Sequence, residues 1–400
     1  MKINITSLAH KVIIVGILLT PLFTFKESVA LIYGGVINNS TVLTSPYIKL
    51  IKDLVFISLI LLSIFSIFLK SRITRVTLPF LFYSLLAILL AVVFTYTEPL
   101  FFALGIRWLL PVILLFLYVS VASEETLPKV AIAISFVFLV HLVMQLLQFF
   151  FAQGYFGINI IGFSLRNPGI FFIPSTSGFF SIVVLFFALF YLERGRVRSV
   201  ILFMLPISIL LTASGTAVAA YIFSIVFYSV KEKYYILLPA IVSLIALLTV
   251  NFIEPITGRS GLIEESFGVR INLFLRYFSD FTLLPEHFGY GTSTAYLLQN
   301  HLGLDFDLFA TESLWAGLIV NTGLVNFYVS IFIVLAFIIS TYIRRQKELL
   351  FFGFAYLMFS LTTGVLESYP MNLIFALVMG NYLKFHFKLG NSPGNYRHDY

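Results

Sequence analysis

Apolar residues in this chain come in long unbroken runs separated by short polar gaps, and that grouping constrains the fold more than any motif in it. A helix needs about 17–25 apolar residues to cross the hydrocarbon of a bilayer. Runs that meet or approach this length lie near 12–32, 53–69, 77–96, 100–122, 130–152, 177–192, 199–213, 215–230, 234–252, 313–341, 349–366 and 370–386. Lipid offers no water to unpaired N–H and C=O groups, so a spanning segment must be a helix or part of a closed barrel, and continuous rather than alternating runs select helices. Sixty per cent apolar residues, 11% charged residues and a mean hydropathy of +1.02 lie far outside soluble domains, which carry about a quarter charged residues. These features predict an all-α, polytopic integral membrane protein with twelve transmembrane helices forming one transmembrane domain over 1–388. Residues 389–400, rich in Gly, Asn and Pro, are predicted to be a disordered tail.

The formal net charge of +7 would point to nucleic acid in a soluble protein, but here its distribution is topological and no nucleic-acid partner is expected. With the N-terminus inside, 17 of the 25 basic residues fall in inner segments and seven in outer ones, Arg107 lying within a span. The 199–230 stretch decides the second half. One long helix there would put eight of the later basic residues outside and three inside; a tight hairpin at Thr212-Ala-Ser-Gly-Thr216 reverses those numbers. The hairpin is therefore expected, with both termini cytoplasmic and two long loops, 153–176 and 253–312, external. The first run is the poorest, being broken by Pro21 and by Lys26-Glu27. Lys2 and Lys11 before an apolar core, with Ser28-Val-Ala after it, also have the layout of a signal peptide, whose removal would leave the orientation of the rest unchanged.

The chain has no cysteine, so a disulfide framework and a Cys-based metal site are both impossible, and its six histidines lack HxxxH or HxxE spacing. Neither metal nor cofactor is expected. Polar chemistry is expected in the external stretches, since eleven of the 43 charged residues lie in 253–312. In the first external loop, Asn167-Pro-Gly is a turn signal that would present Arg166 at the membrane surface, where a guanidinium can grip phosphate oxygens with two parallel bonds. In the second, residues 262–284 read as a helix with an apolar stripe of Ile263, Phe267, Ile271, Phe274, Phe278 and Phe281, lying on the bilayer or packed on the bundle. On it, Arg276 has Asp280 four residues on as a local partner, whereas Arg270 has no acidic residue at helical spacing and is the better anion ligand. Glu312 stands where the chain re-enters the membrane, beside Trp315 as an interfacial anchor. A carboxylate there serves either as a helix cap or as a base.

Two features fall inside the spans. Arg107 lies seven residues into the fourth run, about 10 Å deep at roughly 1.5 Å per residue, and an arginine at mid-membrane costs on the order of 3 kcal/mol. It is either functional or snorkels outward to headgroups or to Glu98. His141, Gln145 and Gln148 share one face of the fifth run at i, i+4 and i+7, as interhelical hydrogen bonding or the lining of a polar groove would require.

Several short motifs in a fixed order carry a resemblance: Arg166 with the Gly/Phe/Pro turn up to Gly178, Thr212-Ala-Ser-Gly in the hairpin, Val269-Arg270, Gly289-Tyr-Gly291, and Glu312 with Gly323 a helix length on. In these and in its overall architecture the chain resembles the Wzy-type O-antigen and exopolysaccharide polymerases, in the larger class that includes O-antigen ligases. It departs from them in lacking an arginine after the hairpin serine and a His-Asn before the tenth span, where Thr311-Glu-Ser stands, and in the arginine-to-glycine spacing after Arg166, which runs one residue long to Gly178. The resemblance implies a glycosyltransferase on the outer face of the bacterial inner membrane. It would move a growing glycan from undecaprenyl pyrophosphate to the sugar end of a lipid-linked repeat unit, with a chain-length regulator as partner. Arg166, Arg270 and Glu312 would be its catalytic residues, and Arg107, Arg276, Gly289 and Gly291 its substrate-binding ones. A ligase and a twelve-helix transporter or lipid-oligosaccharide flippase are the alternatives. The absent His-Asn counts against the first, and the asymmetric external loops without a visible repeat against the second.

Overall fold

The computed structural model describes residues 4–32, 46–70, 99–151, 167–171, 173–212, 214–232, 272, 275–276, 278, 288, 313–361 and 363–386. Among them there is no strand. Eleven α-helices and one 3-10 turn follow in order: α1 (Ile5–Leu18), the 3-10 turn (Thr20–Thr24), α2 (Phe25–Ile32), α3 (Pro46–Lys70), α4 (Pro99–Tyr118), α5 (Thr126–Phe151), α6 (Pro174–Phe190), α7 (Arg196–Thr212), α8 (Gly215–Glu232), α9 (Leu314–Ile343), α10 (Lys347–Ser360) and α11 (Met371–His386). Four stretches, Ile5–Ala30, Leu50–Leu69, Thr126–Phe151 and Leu314–Ile343, are long and apolar enough to cross a membrane. The described residues are thus all-helical, and these four helices have the length and composition of membrane spans.

The interruption expected in the first run is the 3-10 turn. Pro21 lacks the N–H an α-helix needs from its interior residues, and the tighter turn places it in the opening positions, where that donor is not used. On the N-terminal side, Ala9, Ile13 and Ile17 are fully buried, and α1 packs against α5 and α3.

The hub of the bundle is α6. Every residue from Ser177 to Ala188 is buried, the mark of a helix apolar on all sides, and it touches α5, α7, α8, α10 and α11. Aromatic rings fill the α6–α10 seam, with Phe179 against Tyr356 and Phe359 at 4.7 Å between centroids and Phe186 against Phe352 at 4.9 Å. Just beyond α6, Tyr191 donates to Glu348 Oε2 at 3.4 Å. The start of α8 approaches α6 closely because residue 178 has no side chain: a Cβ there would lie 2.4 Å from the Cβ of Ala217.

Pairwise contacts give each helix a direction. Asp53 meets Arg107 near the starts of α3 and α4, and Ser63 and Ser66 in the last third of α3 meet Ser120 just past the end of α4, so these two run parallel. His10 meets Thr126 and Ser28 meets Gln148, so the α1–α2 run is parallel to α5. Arg198 at the start of α7 reaches Tyr228 near the end of α8 at 3.3 Å, which makes 196–232 an antiparallel hairpin, broken where the Thr212-to-Thr216 motif stands. Trp315 against Ser360 and Phe337 beside Gly353 set α9 antiparallel to α10. Gly380 against Leu115 and Tyr118, and Lys384 on Ala122 O, set α11 parallel to α4. The start of α1 and the end of α11 thus meet at the 119–125 turn, here called the proximal end; the starts of α3, α4, α6, α9 and α11 form the distal end. The runs 77–96 and 234–252 lie outside the described residues.

Candidate functional site

At the distal end, Arg107 Nε donates to Asp53 Oδ1 at 2.8 Å. The arginine side chain keeps 33% of its surface and the aspartate 15%. Its partner among the described residues is therefore Asp53 on a neighbouring helix; Glu98, considered from the sequence, lies outside them. Sequence distance hid this pair, because 54 residues separate its members. The two stand seven and eight residues from the starts of parallel helices, so their charges fall at one depth. Two residues before Arg107 and on another face of α4, a Cβ on Gly105 would lie 2.5 Å from the ring of Phe288. Phe288 is buried and also packs on Phe102, at 5.7 Å between centroids. A residue of the second loop, next in sequence to Gly289, is therefore docked on α4 at the level of Arg107.

The His141, Gln145 and Gln148 stripe proves to be interhelical bonding of a buried kind. Gln148 closes a reciprocal pair with the turn at Gly169, accepting from Gly169 N at 2.7 Å and donating to Gly169 O at 2.8 Å, and it also donates to Ser28 O at 3.2 Å. Gln145 donates to Asn167 O at 3.1 Å, Ser208 O at 3.1 Å and Ser177 Oγ at 3.3 Å. The predicted Asn-Pro-Gly turn is present: Phe171 N donates to Pro168 O at 3.0 Å, and Gly169 takes a φ of 61°. Five chain segments from α2, α5, the 167–171 turn, α6 and α7 are tied at one point.

His141 and Ser177 stand 3.2 Å apart, which invites a nucleophile–base reading. The hydrogen bonds exclude it. Ile170 N donates to His141 Nδ1 at 3.3 Å, so the proton of the neutral ring sits on Nε2 and is donated to Ser177 Oγ. A histidine that already gives a proton to the hydroxyl has no lone pair there to take one. Both side chains are fully buried, and their role is structural.

The described parts of 262–284 are helical at Asn272, Leu275, Arg276 and Phe278. Phe278 meets Phe327 of α9 at 5.3 Å and 79°, so this residue of the expected apolar stripe packs on the bundle, and Arg276 is exposed. Two expectations about the start of α9 are corrected. Trp315 is no interfacial anchor: it is buried at 7% exposure and donates from Nε1 to Ser360 Oγ at 2.8 Å. The helix cap is Ser313, whose Oγ accepts from Ala316 N at 3.0 Å, so the capping role weighed for Glu312 is already filled. Gly323, with φ 76° and ψ 171°, breaks α9 one third of the way along, between buried Asn321 and Thr322 and the partly buried Asn326.

Of the site residues that the resemblance implies, Arg107 and Arg276 are described; Arg166, Arg270, Gly289, Gly291 and Glu312 lie outside the described residues, as does Asp280. Their neighbours Asn167, Phe288 and Ser313 all stand at the distal end. Among the described residues, no three His, Asp or Glu side chains gather as a metal site would need. No protein-family model matches the chain, and neither a curated protein nor a solved structure matches it.

Proposed function

We propose that this protein is a polysaccharide polymerase of the bacterial inner membrane that joins undecaprenyl-pyrophosphate-linked oligosaccharide repeat units at the outer face. The observation that carries the reading is the distal Arg107–Asp53 pair, with Phe288 docked on α4 at its level. A diphosphate leaving group needs fixed cations at the interface, and the acceptor hydroxyl needs a base within hydrogen-bond reach. Arg166 and Arg270 are the proposed catalytic cations and Glu312 the proposed base. Arg107, Arg276, Gly289 and Gly291 hold substrate, and a chain-length regulator is the expected partner protein.

Helix directions support the twelve-span topology of this reading. Direction alternates along the described chain except from α3 to α4 and from α8 to α9. Each exception requires the chain to return from one end of the bundle to the other, and the sequence has an apolar run in each of these gaps, at 77–96 and 234–252. Lys11, Lys129, Arg194, Arg196, Arg198, Arg344, Arg345 and Lys384 all belong to the proximal end, which under the positive-inside rule is cytoplasmic. On this reading both termini lie inside and the distal site outside.

The transporter reading has one observation of its own, the break at Gly323, since interrupted helices are common at carrier sites. Purified protein in nanodiscs, given lipid-linked repeat units, separates the readings. A polymerase yields a ladder of lipid-linked products, and Arg166→Ala or Arg270→Ala abolishes it, with lysine rescuing partly because it lacks the fork. A parent protein that forms no ladder but moves glycan onto a lipid A core is a ligase. One that only carries lipid-linked glycan across vesicle membranes is a transporter.

A further inference from the structure

The geometry of the Arg107–Asp53 pair differs from that of a contact made only to hold helices together. The strongest arginine–carboxylate contacts are bidentate, yet among the described residues the Arg107 guanidinium is engaged through Nε alone. The pair is also lopsided: the arginine side chain is more than twice as exposed as the carboxylate. Helix fastening does not require it. At the proximal end, Ser120 Oγ donates to Ser63 O at 3.0 Å and Ser66 Oγ donates to Ser120 O at 3.3 Å, and buried Val55, Phe56 and Leu59 line α3 between. An apolar pair at 53 and 107 would avoid the desolvation that two charges at this depth incur.

We propose that Asp53 is a positioning residue of an anion site: it takes the Nε–H of Arg107 and leaves the Nη fork, the part of the guanidinium matched to phosphate, for the diphosphate head of a polyprenyl lipid. The fork offers up to four N–H donors, and an Arg107 anchored at Nε presents them without the rotamer search a free arginine side chain must make. Asp53 touches no substrate and acts through Arg107. This deepens the polymerase reading and rests on it for the choice of lipid, but its test is binding rather than turnover.

The experiment uses the full chain in nanodiscs of zwitterionic phospholipid, titrated calorimetrically with a short-chain polyprenyl diphosphate and, as control, the matching alcohol. The parent is expected to bind the diphosphate and not the alcohol. Asp53→Asn and Arg107→Lys should each weaken binding about tenfold, the scale of one charge-assisted hydrogen bond. The double exchange Asp53→Arg with Arg107→Asp is the sharper probe. It should restore the parent's thermal unfolding midpoint, since the pair is re-formed, but not its diphosphate affinity, since the fork then hangs from the wrong helix. Exchange protein that binds as tightly as the parent overturns the proposal. So does undiminished binding by both single variants, which decides the matter if the exchange protein does not fold. Replacement of the zwitterionic lipid by phosphatidylglycerol separates the two phosphate sources: loss of parental binding would reduce the site to a general headgroup contact and overturn the proposal. Polymer formation by the parent, scored separately, tests the polymerase reading whatever the titration gives.

Discussion

Gln145 and Ser208 bind each other in both directions: the serine hydroxyl donates to Gln145 Oε1 at 2.7 Å, and Gln145 Nε2 donates to the Ser208 carbonyl at 3.1 Å. The same amide holds Asn167 O, so one side chain fastens the turn before α6 to α5 and α7. Ser181 Oγ completes the tie to α6, 3.0 Å from Ser208 Oγ. Gln145→Leu keeps the volume and removes the amide's bonds to the Ser208 hydroxyl, to Ser177 Oγ and to the Asn167 and Ser208 carbonyls. Each such bond contributes about 0.5–1.5 kcal/mol, so the folded bundle should lose about 2–4 kcal/mol in a reversible denaturant titration in mixed micelles. A loss below about 0.5 kcal/mol would mean that water replaces the amide and the network is dispensable.

Gly169 and Gly195 give a matched pair of alanine substitutions. At Gly169 a Cβ would sit 2.4 Å from His141 Nδ1 and 2.8 Å from Gln145 Cγ, on a residue with φ of 61°. Nothing lies within 4 Å of a Cβ at Gly195. Gly169→Ala is expected to destabilise by more than about 2 kcal/mol, from a left-handed backbone plus displacement of the His141 ring. Gly195→Ala should stay within about 0.5 kcal/mol. Equal unfolding midpoints for the two variants would contradict the packing of the turn on α5.

Sidedness is checked with single cysteines, which the cysteine-free chain makes clean. Ser175 stands at the distal start of α6 and Ser199 near the proximal start of α7. In intact spheroplasts an impermeant thiol reagent should label cysteine at 175 and at 293, and should reach 199 only after permeabilisation. Labelling at 199 with protection at 293 would invert the protein.

The legible part of this fold was the part written in local periodicity. Apolar runs predicted the described helices, the Asn167-Pro-Gly and Thr212-to-Thr216 signals marked a turn and a hairpin that are present, and the i, i+4, i+7 spacing put His141, Gln145 and Gln148 on one bonded face. Illegible were the partners that face each other from distant helices. Asp53 opposite Arg107, and Ser360 beneath Trp315, are joined by packing direction and depth, neither of which periodicity encodes. Trp315 was misread for the same reason: aromatic residues near a span end are commonly interfacial, and only the position of α10 turns this one inward. The helix cap falls on Ser313, one residue after the Glu312 that the sequence offered as either cap or base, within the usual scatter of helix starts.

That one-residue correction sharpens the test of Glu312. With Ser313 accepting from Ala316 N, loss of the cap falls on Ser313→Ala, which should cost about 1 kcal/mol of stability and leave turnover within a few-fold. Glu312→Gln, by contrast, leaves the Ser313 cap in place. If Glu312 is the base that takes the acceptor hydroxyl's proton, the glutamine variant keeps its shape and its fold but loses roughly 10²–10⁴-fold in polymerisation rate. Both variants are measured as purified protein with lipid-linked repeat units, with unfolding midpoints recorded alongside. A Glu312→Gln protein that polymerises near the parent rate removes Glu312 from the chemistry, and His287, His301, Asp305 and Asp307 of the same loop become the bases to test.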